Sequence, residues 1–495
     1  MCGLPLRGAP LCEAAARLAI PNVTVISAAS IAAGPFTPQD SGRARAIDVP
    51  GFCRIRAVAN PVPDSSIGFE LWLPATDAWN RRFLGTGNGG YSSTLSYPEM
   101  IAALKKGYAV AGSDTGHEGD DLKFAIGHPG KIEDWGYRAV HVMTEVSKLI
   151  IRHYYARFPD YSYFAGCSTG GQQALSEAQR FPADYDGIIA GDPGNNRIRL
   201  NAGFLWSWLA LNQNSGASLP VSKLAVIHKA VVSACDALDG VKDGLIADPR
   251  RCKFDPETLV CKEGDQGTCL TPPQVEAVRR VYEGARNPRT GEQIFAGSAR
   301  GSEANGTAQV GGWSGYFAGK EEPARLDFWR YWVFHDPGWD LHTFDFDRDV
   351  TYAESELPAV VANSPNLSAY KQRNGKLIMY HGWADPVVPP EDGIRYYESV
   401  ESAMGGHDRT ADFLRLFMAP GMGHCGGGEG PNTFDTLAAL DGWVTNGAAP
   451  AKIIASHSSK GVIDRTRALC PYPQVAKWDG KGSIDDAASF ACSAP

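Results

Sequence analysis

Strand-like and helix-like stretches alternate between about residues 50 and 195, and this alternation constrains the fold more than any other feature of the chain. GFELWLP (68–74) and RRFLGTG (81–87) read as strands, and KKGYAVAGSDTG (105–116) contains another. A long amphipathic helix is predicted from about Glu133 to Arg157, followed by the strand Tyr161–Ala165, a helix over Gln172–Phe181 and the strand DGIIAG (186–191). Such alternation predicts an α/β fold built on a mostly parallel sheet. Between one strand and its helix lies Gly166-Cys167-Ser168-Thr169-Gly170. It fits G-x-S-x-G, a sharp turn that lifts a serine off a strand end and exposes its hydroxyl. Glycine is 55 of 495 residues, so the five-residue match is weak without its flanks. A close-packed turn of small residues is the alternative.

From about Asn196 to Ser364 the character changes to a Gly-, Trp- and Asp-rich, loop-heavy segment. Strand patterns then resume with KLIMYHG (376–382) and FLRLFMAP (413–420). The division predicted is a core from residues 1–195 and 365–495, with 196–364 inserted as a lid. The net charge of −8 comes with no basic cluster, which argues against a nucleic-acid partner. No stretch approaches the ~20 apolar residues of a membrane span. Eleven cysteines are many for a reducing compartment, and their placement suggests bridges. Cys235 and Cys252 flank an acidic loop, Cys261 and Cys269 close a short one, and Cys470 and Cys492 bracket the C-terminal tail. The expected location is therefore secreted or periplasmic. MCGLPLRGAP lacks the apolar run of a signal peptide, so a removed presequence is expected. Cys2, the odd cysteine, is then either an artefact or the remnant of a lipidated N-terminus.

A serine nucleophile needs a general base, and the base needs an orienting carboxylate. KLIMYHG runs into WADPVVPP, which puts Asp385 three residues past a strand; FLRLFMAP runs into GMGHC, which puts His424 past the next. A turn-forming aspartate before Pro386 and an exposed loop histidine are the plainer readings of each alone. Together, in the order serine, acid, histidine, they read as a triad of Ser168, Asp385 and His424. Cys167 directly precedes the serine and Cys425 directly follows the histidine. If Ser168 and His424 are hydrogen-bonded, these neighbours come within the roughly 4.4–6.8 Å Cα span of a disulfide, which would staple the nucleophile's turn to the base's loop.

GCSTGG, HGWAD and GMGHC together resemble the tannase and feruloyl esterase family, whose signature is Cys-Ser…Asp…His-Cys. The likeness runs from CEAAARLAIPNVTV to CPYPQVA and FACSAP. It implies a serine carboxylesterase with an α/β-hydrolase core and a lid, acting through an acyl-enzyme on small-molecule esters of aromatic acids. The expected bridges are then Cys12–Cys53, Cys167–Cys425, Cys235–Cys252, Cys261–Cys269 and Cys470–Cys492. An oxyanion hole needs N–H donors. Thr169, after the serine, supplies one, and the match to the family selects Gly90 in GTGNGGY for the other, with Gly89 the near alternative. Asp236, Asp239 and Asp243 crowd one loop, and three such carboxylates suit a hard cation. The resemblance implies a structural Ca²⁺ there, its shell completed by the carbonyls of Val241 and Leu245. A solvated acidic turn is the alternative.

Trp313, Tyr316, Phe317, Phe328, Trp329, Tyr331, Trp332 and Phe334 could line an aromatic acyl pocket, although core packing explains most such residues. The family's mono(2-hydroxyethyl) terephthalate hydrolase holds its substrate's carboxylate with a lid arginine beside a phenylalanine, and has an acidic residue after the serine. EEPARLDFWRYW (321–332) has neither at the matching position, though Arg325 and Arg330 are near, and Thr169 follows the serine here. A feruloyl or related hydroxycinnamate ester is therefore expected, with terephthalate or galloyl esters the alternatives. A catalytically dead calcium-dependent binding protein and another serine hydrolase, a peptidase or lipase, are more remote readings. The sequence is silent on oligomeric state.

Overall fold

The computed structural model of the chain describes residues 12–38, 46–304 and 311–495. It contains two compact units, one of Met1–Ile189 with Leu367–Gly375 and one of Ala190–Asn366 with Lys376–Pro495.

The strands of the first unit are β1 (Val23–Ile31), β2 (Gly34–Phe36), β3 (Ile47–Val49), β4 (Phe52–Ala59), β5 (Ile67–Pro74), β6 (Arg82–Thr86), β7 (Ala109–Ser113) and β8 (Tyr161–Cys167). Six of them run side by side in the order β1-β4-β5-β7-β6-β8. The three pairs from β1 to β7 are antiparallel, and β7, β6 and β8 are parallel. The sheet is thus mixed. Parallel neighbours need a crossover, and the helices Tyr97–Lys105 and Ala139–Tyr155 supply them between β6 and β7 and between β7 and β8. Every residue of β7 is buried, as a strand covered on both faces requires. A buried ion pair braces the antiparallel side: Arg54 Nε donates to Glu70 at 2.9 Å, and the Trp72 indole donates to the same carboxylate at 2.7 Å. Cys12 is bridged to Cys53, at a Cα separation of 5.5 Å.

The helix expected over 133–157 is broken near its start. Pro129–Glu133 is one short helix, Asp134–Arg138 is a π turn, and the regular helix is Ala139–Tyr155. The wider turn seats two buried groups. Asp134 accepts from Ser65 Oγ at 2.8 Å, and Trp135 stacks on Tyr91 with ring centroids 4.9 Å apart.

β9 (Gly187–Gly191) spans the point in the chain where the units divide. In the second unit β10 (Lys376–Gly382) and β11 (Leu414–Ala419) pair in parallel, from Leu377 opposite Leu414 to Gly382 opposite Ala419, around the crossover helix Pro390–Met404. The segment expected to be irregular carries three substantial helices, Arg197–Asn212, Val221–Cys235 and Pro272–Glu283. The first is capped by Asn196, whose side chain accepts the Arg199 N–H at 3.1 Å. The third begins with a capping box between Thr271 and Gln274. Cys235–Cys252, Cys261–Cys269 and Cys470–Cys492 are bridged as expected, with Cα separations of 5.3, 5.0 and 5.6 Å. Cys2 lies outside the described residues.

Candidate active site

The serine turn of the first unit is built by close approach. The helix after β8 is Thr169–Arg180, so it starts three residues earlier than expected, directly after Ser168. Ser168 has φ +63° and ψ −116°, a strained conformation that β-carbon residues rarely adopt. A Cβ on Gly166 would lie 2.5 Å from the Gly170 carbonyl carbon, and one on Gly87 would lie 2.5 Å from the Gly170 Cα. Only glycine lets strand, helix and the 87–91 loop meet this closely.

That loop is fastened to the helix. Gly170 N–H donates to the Asn88 carbonyl at 2.7 Å, Asn88 N–H donates to Gln173 Oε1 at 3.0 Å, and Thr169 Oγ1 donates to the Gly90 carbonyl at 2.7 Å. Asn88 Nδ2 also donates to the Ser113 carbonyl at 2.8 Å, which ties the loop to the end of β7. Gly90, at φ +57°, is therefore held beside the residue that follows the serine.

The second unit brings Asp385 and His424 into contact. Asp385 and His424 are both buried, and His424 Nδ1 lies 2.7 Å from Asp385 Oδ2. The other carboxylate oxygen accepts the N–H groups of Val387 and Val388, at 2.7 and 3.0 Å. These bonds fix the plane of the carboxylate. With Asp385 on Nδ1, Nε2 is the nitrogen of His424 left to take a proton from an attacking group. Burial alone would raise the Asp385 carboxyl, but the His424 charge and the hydrogen bonds from His381 and His424 outweigh it and hold it below the ordinary carboxylate range. Burial alone would lower His424, and the adjacent Asp385 charge and hydrogen bond reverse that, leaving its pKa raised.

Two further residues belong to this cluster and escaped the sequence reading. His381 is fully buried, its Nε2 lies 2.8 Å from the Val388 carbonyl and 3.4 Å from Asp385 Oδ2. Asp192, the first residue past β9, is also fully buried. The rule that selected Asp385, an acid just past an apolar strand, applies equally to the GD of GIIAGD.

The acidic loop after Cys235 is wrapped on its own carboxylates. Asp236 Oδ1 accepts the N–H groups of Asp243 and Gly244, both at 3.0 Å; Asp239 Oδ1 accepts Val241 N–H at 2.9 Å; Asp243 Oδ1 accepts Leu245 N–H at 3.1 Å. Arg467, pressed against the Phe490 ring, pairs with Asp243 Oδ2 at 2.6 Å. Burial raises the Asp239 carboxyl, and the nearby Asp243 charge adds to the rise. Arg467 thus offsets part of the loop's negative charge, and the oxygen donors of Asp236, Asp239 and Asp243 are of the chemical type a hard cation takes, although their carboxylates are turned onto the loop's own N–H groups.

Of the lid aromatics, Trp313, Phe317, Phe328, Trp329, Tyr331 and Trp332 are buried and pack the core of the second unit, and Phe334 is half-buried. Tyr316 is half-buried too and stacks on Phe204, with centroids 4.7 Å apart. Burial raises its hydroxyl pKa, and the charges of Arg325 and Asp385 both act on it. Arg330 is committed elsewhere, to Glu322 at 2.7 Å and Asp327 at 3.5 Å.

A serine turn between a parallel strand and its helix, with acid and base past the ends of adjacent parallel strands, defines an α/β-hydrolase. The chain belongs to the tannase and feruloyl esterase family, whose profile matches residues 53–493. It is accordingly a carboxylic ester hydrolase with small-molecule ester substrates. It is similar to an uncharacterized esterase of Xanthomonas campestris pv. campestris, with 39% identity over 96% of this chain and 90% of that one. It is also similar to the mono(2-hydroxyethyl) terephthalate hydrolase of Piscinibacter sakaiensis, with 33% identity over 87% and 82%. Among solved structures, feruloyl esterase B from Aspergillus oryzae superposes with a TM-score of 0.90 at 29% identity, covering 98% of this chain and all of that one. Among the described residues, no helix is long and apolar enough to cross a membrane.

The Asp385–His424 pair sets a pH dependence. If His424 serves as a general base it must be neutral to act, so kcat/KM is expected to rise with pH through its raised pKa, above the ordinary ~6.5 of imidazole. Asp385→Asn removes the charge that raises it. The ascending limb should move to lower pH and kcat should fall by about 10⁴-fold, the scale of the same Asp-to-Asn change in a serine-protease triad. A pH–rate profile of wild type and variant checks both; an unmoved limb contradicts the pairing.

Proposed function

We propose that the protein is a serine esterase in which Ser168 is the nucleophile, His424 the general base and Asp385 its orienting acid. The observation that carries this reading is the buried Asp385–His424 contact, set past the ends of β10 and β11, in a chain whose Ser168 sits at a strained strand-to-helix turn. Ser168 Oγ attacks the ester carbonyl as His424 Nε2 takes its proton. The oxyanion accepts N–H bonds from Thr169 and from Gly90 or Gly89. His424 then returns the proton to the leaving alcohol, and water, activated by the same base, releases the acid from the acyl-enzyme. A disulfide between Cys167 and Cys425 staples the two loops, fixes their relative position, and by closing so long a loop contributes about 5 kcal/mol to stability.

The acyl group we assign is a hydroxycinnamate of feruloyl type. The family and the likeness to feruloyl esterase B support it, as does Tyr316 stacked on Phe204 beside a lid whose Arg330 is tied to its own carboxylates. The terephthalate reading is favoured by the likeness to the Piscinibacter sakaiensis enzyme and by the charge of Arg325, a lid cation that acts on Tyr316, as Asp385 also does. The enzyme works outside the reducing cytoplasm, secreted or periplasmic, which the disulfides support. Asp236, Asp239 and Asp243, with the carbonyls of Val241 and Leu245, hold a structural Ca²⁺, which would neutralise the charge left over from Arg467.

Ser168→Ala should abolish ester hydrolysis with the fold intact. Wild type should prefer methyl ferulate to mono(2-hydroxyethyl) terephthalate in kcat/KM by about tenfold or more, if an unpaired carboxylate costs even ~1.4 kcal/mol to bury. Turnover by the variant within tenfold of wild type removes the triad reading. A preference for the terephthalate ester, with KM for that substrate alone rising in Arg325→Ala, moves the specificity to the charged acid.

Peptide mapping without reductant should recover Cys167 and Cys425 in one linked pair; a free thiol at either contradicts the staple. Chelation should lower the melting temperature while the initial rate of still-folded enzyme stays nearly unchanged, because a bound ion stabilises the native state by mass action. An unshifted melting curve after verified metal removal favours the solvated acidic turn.

A further inference from the structure

Asp192 has no part in the mechanism above, yet it is fully buried, a costly place for a carboxylate. Its surroundings show what it does there. Its backbone has φ +36°, unusual for a residue with a Cβ, and its N–H donates to the Tyr380 carbonyl in β10 at 2.9 Å. One carboxylate oxygen accepts the Gly382 N–H at 2.9 Å. The other accepts the Cys425 N–H at 3.2 Å. Gly382 is the last residue of β10, three before Asp385. Cys425 follows His424 directly and has φ +62°, a second strained residue at this contact. One buried side chain therefore grips the root of the acid's loop and the backbone of the base's loop at once.

The charges around it are equally specific. Oxygen atoms of Asp192 and Asp385 and a ring nitrogen of His424 all lie within 4.8 Å of one another. His381 sits against both acids, its Nε2 3.8 Å from Asp192 Oδ1 and 3.4 Å from Asp385 Oδ2. The titratable groups facing His424 in this unit are thus Asp385, Asp192 and His381. Those facing Asp192 are His381, Asp385 and His424.

We propose that Asp192 is a positioning residue for the esterase reaction, one carboxylate that clamps the Asp385 loop to the His424 loop and adds negative potential behind the base. It touches neither substrate nor the reacting atoms. It acts by keeping the Cys425 peptide, and with it the His424 ring, in register with Asp385. Small displacements of such a group are costly, since an error of about 1 Å can lose on the order of 10²-fold in rate. The negative charge also favours the protonated form of His424, so removing it lowers that pKa.

The test is Asp192→Asn, which keeps the size, can still accept the Gly382 N–H, presents an amide to one of the two donors and carries no charge. Burial raises the Asp192 carboxyl, so its charge is strongest on the alkaline side, where the profile is best compared. The variant should fold, lose about tenfold to 10²-fold in kcat with KM for methyl ferulate within about twofold, and show its ascending pH limb shifted to lower pH. Asp192→Glu, which keeps the charge but displaces the oxygens, should lose kcat and keep the limb in place. A variant with wild-type kcat, or with a raised KM alone, overturns the proposal. So does a rate loss that follows the melting temperature while the limb stays unmoved in Asp192→Asn. Should Asp192→Asn fail to fold, hydrogen exchange in wild type decides: slow exchange at the Gly382 and Cys425 amides supports the clamp, and rapid exchange at both overturns it. The inference rests on the triad reading, so Ser168→Ala is assayed alongside. An active Ser168→Ala removes that reading whatever Asp192 does, whereas an inert Ser168→Ala beside a fully active Asp192→Asn removes only the positioning role.

Discussion

The bond between His424 Nδ1 and Asp385 Oδ2 is the contact on which the rest of the site depends. It fixes which imidazole nitrogen faces outward, and its charge reverses the effect of burial on the base. A carboxylate held in a dry interior must be satisfied on all sides, and here two backbone N–H groups and two imidazoles do so. The cluster has a physical cost: two acids, Asp192 and Asp385, share one small volume. Burial resolves the conflict unequally. The acid paired with His424 stays ionised, and the other is raised. In the proposed mechanism the two carboxylates divide the work, one orienting the base and one holding the loops.

On the first unit the corresponding constraint is steric. Gly87 and Gly166 allow a loop, a strand end and a helix start to approach within a distance that a single methyl group would prevent. The Asn88 and Thr169 hydrogen bonds then lock the loop bearing Gly90 onto the helix that starts at Thr169. A backbone donor set in that way needs no reorganisation when charge develops on a substrate oxygen, which is the property an oxyanion site requires.

Much of this was legible in the sequence because buried parallel strands read as unbroken apolar runs. KLIMYHG became β10 residue for residue, and FLRLFMAP became β11 with one residue trimmed at each end. The rule that functional loops follow such strands singled out Asp385 and His424, which the structure brings into contact. Other parts were hidden for identifiable reasons. β1 has one exposed face and a mixed burial pattern, so VTVISAASI carries little signal. RIRLNAGFLWSWLALN is buried on most sides, so it lacks the polar stripe that marks a surface helix, and the segment read as irregular. The π turn at Asp134 depends on a bond to Ser65, 69 residues away, which no local pattern encodes. Asp192 was passed over because its role comes from the pairing of distant loops; only the three-dimensional register brings Gly382 and Cys425 to its two oxygens.

On the proposed mechanism Ser168 is a nucleophile activated by His424. The most direct measurement is covalent capture: incubation with a fluorophosphonate, followed by intact-mass and peptide-level mass spectrometry. One phosphonyl group per chain is expected, bonded to Ser168 Oγ, with a labelling rate that collapses in His424→Ala. Labelling at another residue, or labelling of Ser168 at an unchanged rate without His424, would contradict it.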